Sequence, residues 1–336
     1  LSLHDALPIS DDTTIILDGT EKCFNAAIDT LRKYASFSGL KMNIEKTKII
    51  WIGSKLFSST KYYDTFNIDW TQRPFTLLGI QFHHNVAEMV ERNYKDKLKK
   101  IDNLMHVWSR RDLTPIGRIT VLKSLILPTI NHLFTSIPNP KTDMIDRLQQ
   151  KCFFFVWKGK RDKVKRNVIA QDYENGGLKV PLIAETIASQ KISWIRRLYT
   201  KDTPLKNVVD AFLPITELDL VEMGSTYLRT FIIPNIKNVF WKDVFSAWAT
   251  LQERRPVVDI SKEYIWANDN FLIEKKPVML ERYVKENVKY VNDLLKNDGS
   301  FLSYDEFREK YCLKTNFLEY ACLTRCIKEY IKRNSL

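Results

Sequence analysis

Up to residue 82, short apolar clusters alternate with turn residues. Ile15-Ile16-Leu17 follows the polar stretch Asp11-Asp12-Thr13-Thr14 and ends at Asp18-Gly19, a turn leading into a strand. Thr20, three residues ahead of Cys23, predicts an N-cap, and Ala26, Ala27, Leu31, Tyr34 and Ala35 recur on one face of a helix of roughly 15 residues. Ser38-Gly39 predicts its end, because glycine suits the left-handed position past a helix C-terminus. Met42 to Ile44 and Lys48 to Ile52 read as strands around Glu45-Lys46-Thr47, and residues 75–82 read as a β-hairpin. Residues 11–82 are therefore expected to form an α+β module.

Beyond it the period becomes helical. Tyr94, Leu98, Ile101, Leu104, Met105 and Trp108 trace one stripe of a long amphipathic helix with lysines opposite. Thr114-Pro115 predicts an N-cap and first helical position for a helix carrying Ile116, Ile119, Leu122, Leu125 and Ile126 and meeting Pro128. Ile137-Pro138-Asn139-Pro140 predicts a break, and a further helix is expected from about Asp143 to Trp157. Asn175-Gly176-Gly177-Leu178 reads as a turn into an extended piece, and Ile187, Ala188, Lys191, Trp194, Ile195 and Leu198 as one helix face. Residues 201–336 contain short helical patterns rich in aromatics, without a fixed repeat. The fold class expected overall is α+β, mainly helical.

The chain's 336 residues, 44% of them apolar, are enough to bury one large core or several smaller ones. No apolar run reaches the roughly 20 residues of a bilayer span. Five cysteines, an odd number and mostly far apart, suit a reducing compartment. Cys322 and Cys326 sit four apart in a helical pattern and read as buried helix-face thiols rather than half of a zinc site. The net charge of +12 is unevenly spread. Residues 91–123 hold nine Lys/Arg against four Asp/Glu, and 158–166 (KGKRDKVKR) hold six against one. Such clustering fits a surface that tracks phosphates, or else a solvated basic face without a partner.

The first ten residues, LSLHDALPIS, are no signal peptide: a basic n-region is lacking, and His4 and Asp5 interrupt the apolar positions. They resemble the translation of a common sequencing-library adaptor through Ser10, so 1–10 is expected to be adaptor-derived and the biological chain to begin at Asp11, truncated upstream.

Adjacent carboxylates such as Asp11-Asp12 beside a strand can hold hard divalent cations, although on their own they more often mark a turn. The succession after them adds specificity. Asp11-Asp12, a helix, the run from Ser38 to Lys48 (SGLKMNIEKTK), then Phe75-Thr76-Leu77-Leu78-Gly79-Ile80, resembles the back half of a reverse transcriptase palm. Leu113-Thr114-Pro115-Ile116-Gly117-Arg118-Ile119, Leu127-Pro128 and Ile137-Pro138 resemble the thumb of LINE-type, non-LTR retrotransposon enzymes. Phe155-Val156-Trp157-Lys158-Gly159-Lys160 and Asp172-Tyr173 with Gly176-Gly177-Leu178 are similar to the segment after that thumb.

The resemblance implies a C-terminal fragment of an RNA-directed DNA polymerase: palm remnant 11–90, helical thumb 91–157, basic loop and helix 158–200, helical C-terminal domain 201–336. It implies that Asp11 and Asp12 are metal-binding catalytic carboxylates, that Lys46 lies near the incoming triphosphate, and that Leu78-Gly79 is the primer-grip turn. Lys95, Lys97, Lys99, Lys100, Arg110, Arg111 and Arg118 would contact template-primer phosphates. Lys160, Arg161, Lys163, Lys165 and Arg166 would extend that surface. Trp108, Trp157 and Trp194 could stack bases, but their spacing among Ile and Leu points to the core. The partners implied are an RNA template, a DNA primer and deoxynucleoside triphosphates, with no membrane. The implied cofactor is Mg²⁺, serving two-metal phosphoryl transfer in the intact parent. The implied location is intracellular, nucleus and cytoplasm, as a ribonucleoprotein.

The sequence departs from the family just before the aspartates, where Ile9-Ser10 replaces an aromatic-alanine pair. The resemblance also implies that the strand bearing the third metal carboxylate lies upstream of Asp11 and is not part of this chain. The chain is therefore expected to be inactive as a polymerase, to bind Mg²⁺ poorly and to have a first strand without a neighbour. The alternative from another class is a non-catalytic helical nucleic-acid-binding or scaffold protein.

Overall fold

The computed structural model describes residues 6–9, 12–56, 58–62, 68–70, 74–200, 209, 213, 220–255, 257, 259–312 and 316–334. It divides into two compact units, residues 1–93 and 94–336. Helices dominate, with a few short strands.

In the first unit, β1 (Ala6–Ile9) pairs antiparallel with β2 (Asp12–Ile15), Ala6 opposite Ile15 and Ile9 opposite Asp12. This corrects the expectation of an unpartnered first strand. The apolar run Ala6-Leu7-Pro8-Ile9 can lie extended beside the β-branched Thr13-Thr14-Ile15 and satisfy its backbone. α1 (Glu21–Ser38) begins at Thr20, whose hydroxyl accepts from the Cys23 N–H at 3.2 Å, and ends at left-handed Gly39. Its inward face differs from the one expected: Phe24, Ala27 and Ile28 are buried, whereas Ala26 and Tyr34 face solvent.

Residues 42–44 are not a strand. The Thr47 N–H donates to the Asn43 carbonyl at 3.0 Å, closing a turn where alternation suggests extension. Only Lys48–Ile49 (β3) pairs, in parallel, with Asp69–Trp70 (β4). Phe24, Ile28 and Ile68 make a small core with Leu17, Met42, Ile49, Tyr62 and Trp70 around them. The hairpin of β5 (Phe75–Leu77) and β6 (Ile80–Phe82) matches the expectation for residues 75–82, and the rings of its end pair, Phe75 and Phe82, stack at 5.2 Å. Asn93 is buried and its side chain bonds both the N–H and the carbonyl of Gln81, tying β6 to the start of α2 (Val86–Ser109).

The second unit takes up α2 at Tyr94, where Tyr94, Ile101 and Met105 are buried along the anticipated stripe. Thr114 caps α3 (Pro115–Val121), accepting from the Gly117 N–H at 3.2 Å, with Pro115 at the first position. Pro128 does not end the helical path. The turn Leu122–Ile126 widens so that the Leu127 N–H donates five residues back to the Leu122 carbonyl, and α4 (Pro128–Ser136) starts on the proline.

α5 (Thr142–Val156) follows the proline break and leads through the basic loop to the single turn α6 (Arg166–Ile169). The turn after it needs glycine: a Cβ on Gly177 would stand 2.0 Å from the Gln171 carbonyl oxygen. α7 (Ile183–Thr200) packs against the helix Val239–Glu253, and Ile195, Leu198, Leu228, Val244 and Phe245 form their shared core.

Residues 260–334 are less regular than expected. Their core surrounds Trp266, Phe271, Tyr283, Val288, Phe307, Leu323 and Ile327, enclosed by irregular backbone, a hairpin (Leu272–Ile273 with Lys276–Pro277) and the helices Tyr304–Tyr311 and Phe317–Asn334. No helix among the described residues is long and apolar enough to cross a membrane.

Candidate nucleic-acid interface

Arg118 organises the basic surface. Its position on α3 turns it inward, and only 2% of it is exposed. The guanidinium donates to the carbonyls of Phe155 (3.0 Å), Arg111 (3.2 Å), Ser109 (3.3 Å) and Leu113 (3.4 Å) and lies 5.1 Å from the centre of the Phe155 ring. Ser109 closes α2, Arg111 and Leu113 lie in the link to α3, and Phe155 is in the last turn of α5; the planar fork of arginine can serve several such carbonyls at once. Arg118 is therefore no phosphate contact, a correction to the expectation from charge.

Its effect is to staple the segment 109–113 to the end of α5, which brings the two basic stretches together. Lys158, first of the loop, pairs with Asp112 at 2.5 Å, which holds the Asp112 carboxyl below its ordinary pKa. Arg111 lies over Trp108 at 4.3 Å, and Arg110 is exposed.

After α5 the chain reverses through left-handed Lys158 and Gly159 (φ 52° and 76°). The Gly159 N–H donates to the Phe154 carbonyl and the Lys160 N–H to that of Trp157, fixing where the loop departs. Arg166 anchors the far end, paired with Asp162 at 2.7 Å and laid over Phe153 at 4.6 Å. Between these anchors Lys160, Arg161, Lys163 and Lys165 are exposed, and none has an acidic partner among the described residues.

Two cations that the sequence did not single out act on each other. Lys179 pairs with Asp172 at 2.9 Å, which raises its pKa. Lys123 is held below its ordinary pKa by partial burial and by the charge of Lys179. Lys123 falls within the basic stretch 91–123, but the turn of chain that sets Lys179 near it has no local signal.

The α2 lysines are not one row. At about 100° per residue, Lys95 and Lys99 share a face, Lys100 lies about 100° further round and Lys97 is turned toward the core side. Lys97 is half-buried, and the His132 pKa is held below its ordinary value by burial and, after that, by the Lys97 charge. Trp157 is buried, Trp108 half-buried, and half-buried Trp194 donates its indole N–H to the Thr135 carbonyl at 2.7 Å. Trp157 and Trp194 belong to the packing, whereas Trp108 is half-buried beneath Arg111.

In the first unit, Asp11 lies outside the described residues, and Asp12 is described as a backbone position in β2. Lys46 is exposed on the turn closed by Asn43, whose side chain accepts from the Lys46 N–H at 3.2 Å. Leu78 and Gly79 both have positive φ (50° and 76°) at the hairpin tip, a backbone that glycine adopts without strain and leucine does not. Among the described residues no three His, Cys, Asp or Glu side chains come together as a metal ligand set. The Asp11 and Asp12 carboxylates expected to hold Mg²⁺ lie outside the described side chains. Cys322 is exposed and Cys326 half-buried on the last helix, which corrects the expectation that both are buried.

No family model matches the chain.

Proposed function

We propose that residues 94–200 bind nucleic acid through the phosphate backbone, as the thumb and following segment of a LINE-type reverse transcriptase whose palm remnant occupies the first unit. The observation that carries the reading is four cations, Lys160, Arg161, Lys163 and Lys165, exposed and without acidic partners among the described residues, in the loop whose start the buried Arg118 staple and the Lys158–Asp112 pair tie to the segment 109–113. Lysine and arginine at such a surface release condensed counterions without reading sequence, so affinity falls steeply with salt and tolerates any sequence. Template-primer is the substrate proposed. In the intact parent, addition of deoxynucleotides would follow by two-metal transfer. Support for the polymerase lineage comes from the order of motifs, together with the β5–β6 hairpin whose tip is Leu78-Gly79.

Fluorescence anisotropy with a labelled primer-template, titrated across salt, tests the proposal. Replacing Lys160, Arg161, Lys163 and Lys165 by alanine is expected to weaken binding at least about tenfold at low salt and to flatten the salt slope by about 0.9 for each phosphate no longer neutralised. Neutralising Lys95, Lys97, Lys99 and Lys100 is expected to weaken it less, because those side chains diverge. Unchanged affinity in the loop variant refutes the interface.

A further inference from the structure

Phe154 has no part in the Arg118 staple or in the phosphate surface. It sits near the end of α5 and is 63% exposed, although Phe153, Phe155 and Val156 on either side of it are buried. A phenylalanine that far into water forfeits its burial free energy, so packing does not account for it. One edge of its ring is seated on the chain reversal: a Cβ on Gly159 would meet the ring's outermost carbon at 3.2 Å. Glycine there allows the close approach, and the Gly159 N–H donating to the Phe154 carbonyl at 2.9 Å keeps turn and ring in register.

The residues following that turn are Lys160, Arg161, Lys163 and Lys165, exposed and without acidic partners among the described residues. The other exposed rings of the second unit's described residues have partners: Lys179 caps Tyr173 at 5.3 Å, Phe231 lies 5.2 Å from Tyr227, and Phe317 meets Tyr304 edge to face.

We infer that Phe154 is a stacking platform for an unpaired base of single-stranded nucleic acid, the neighbouring loop cations holding the phosphates on either side of that base. A flat apolar ring beside cations without acidic partners among the described residues matches a base with its flanking phosphates, and bases of any identity offer a π-face. A duplex, whose bases are already stacked, would meet the cations but not the ring. The inference rests on the proposed nucleic-acid interface and specifies the form of ligand it takes.

The experiment compares Phe154→Leu, Phe154→Trp and the wild-type chain, each checked for an unchanged thermal transition. Binding is measured by anisotropy to a single-stranded DNA, a single-stranded RNA and a blunt duplex. Phe154→Leu keeps an apolar side chain but removes the π-face, and is expected to weaken both single-stranded ligands by roughly five- to 150-fold, the range of one base stack. Phe154→Trp is expected to retain or strengthen single-strand binding, and duplex affinity is expected to stay within about twofold in both variants. Unchanged single-strand affinity in Phe154→Leu overturns the stacking role while leaving the interface standing, as does an equal loss on duplex. Failure of the wild-type chain to bind any of the three refutes the interface itself.

Discussion

Arg118 illustrates how a residue with the charge of a ligand contact can act from inside the fold. In a run of nine cations it is indistinguishable from its neighbours by charge, and only its place on the buried side of α3 separates it from Arg110 and Arg111. Its guanidinium donates to four backbone carbonyls, two of which, those of Arg111 and Phe155, also accept backbone N–H groups, so its loss removes charged hydrogen bonds and the packing of a buried side chain together. Arg118→Met is therefore expected to destabilise the chain by about 2–4 kcal/mol, seen in chemical denaturation. Arg118→Lys is expected to recover little of that loss, because one ammonium cannot span carbonyls spread around a planar fork. Both variants are expected to weaken nucleic-acid binding indirectly, by releasing the loop from the segment 109–113. Phe154 is the reverse case: its type suggests core, and its exposure becomes evident only where the loop folds back to Gly159.

Among the elements, the ends were the most legible features. Thr20 and Gly39 bound α1, and Thr114 with Pro115 opens α3, because capping is decided by neighbours in sequence. Pro128 misled, since the wide turn before it absorbs the missing donor without ending the helical path. Lys191 shows what a helix face cannot reveal. The pattern places it among Ile187 and Trp194, and in the fold it is fully buried, donating to the Ile137 carbonyl at the proline break and lying 4.4 Å from the Phe240 ring centre. Burial lowers its pKa to about 8, against a smaller opposing effect of Asp243, whose carboxylate accepts from the Asn139 N–H at 2.7 Å.

Between about pH 8 and the ordinary lysine value of 10.5 the unfolded chain binds the proton that folded Lys191 has released. Stability attributable to Lys191 therefore rises with pH across that window. The unfolding free energy of the wild-type chain minus that of Lys191→Met is expected to increase from pH 8 to pH 10.5, by an amount on the order of 1–3 kcal/mol. A flat difference would place the ammonium in a solvated setting.

For the whole molecule, the two units differ in how much they bury. The first gathers its core around Phe24, Ile28 and Ile68, whereas the second contains successive cores from α2 to the last helix. The proposed interface lies wholly in the second, so a chain starting at Asn85, whose side chain caps α2, is expected to bind single strands and duplex within about twofold of the full chain. A larger drop in affinity would show that residues before Asn85 touch the ligand.

By itself the sequence determined what depends on near neighbours: the caps, the amphipathic stripe of α2, the hairpin turn at Leu78-Gly79, the mainly helical class and the two concentrations of positive charge. The tertiary structure decided which of those charges meet solvent, because that depends on contacts between residues dozens of positions apart, such as Arg118 with the Phe155 carbonyl. It turned one arginine into a staple, left four cations of the loop without acids among the described residues and put a phenylalanine in water beside them. Periodicity records which face of a helix is apolar, but not what the chain later lays against it.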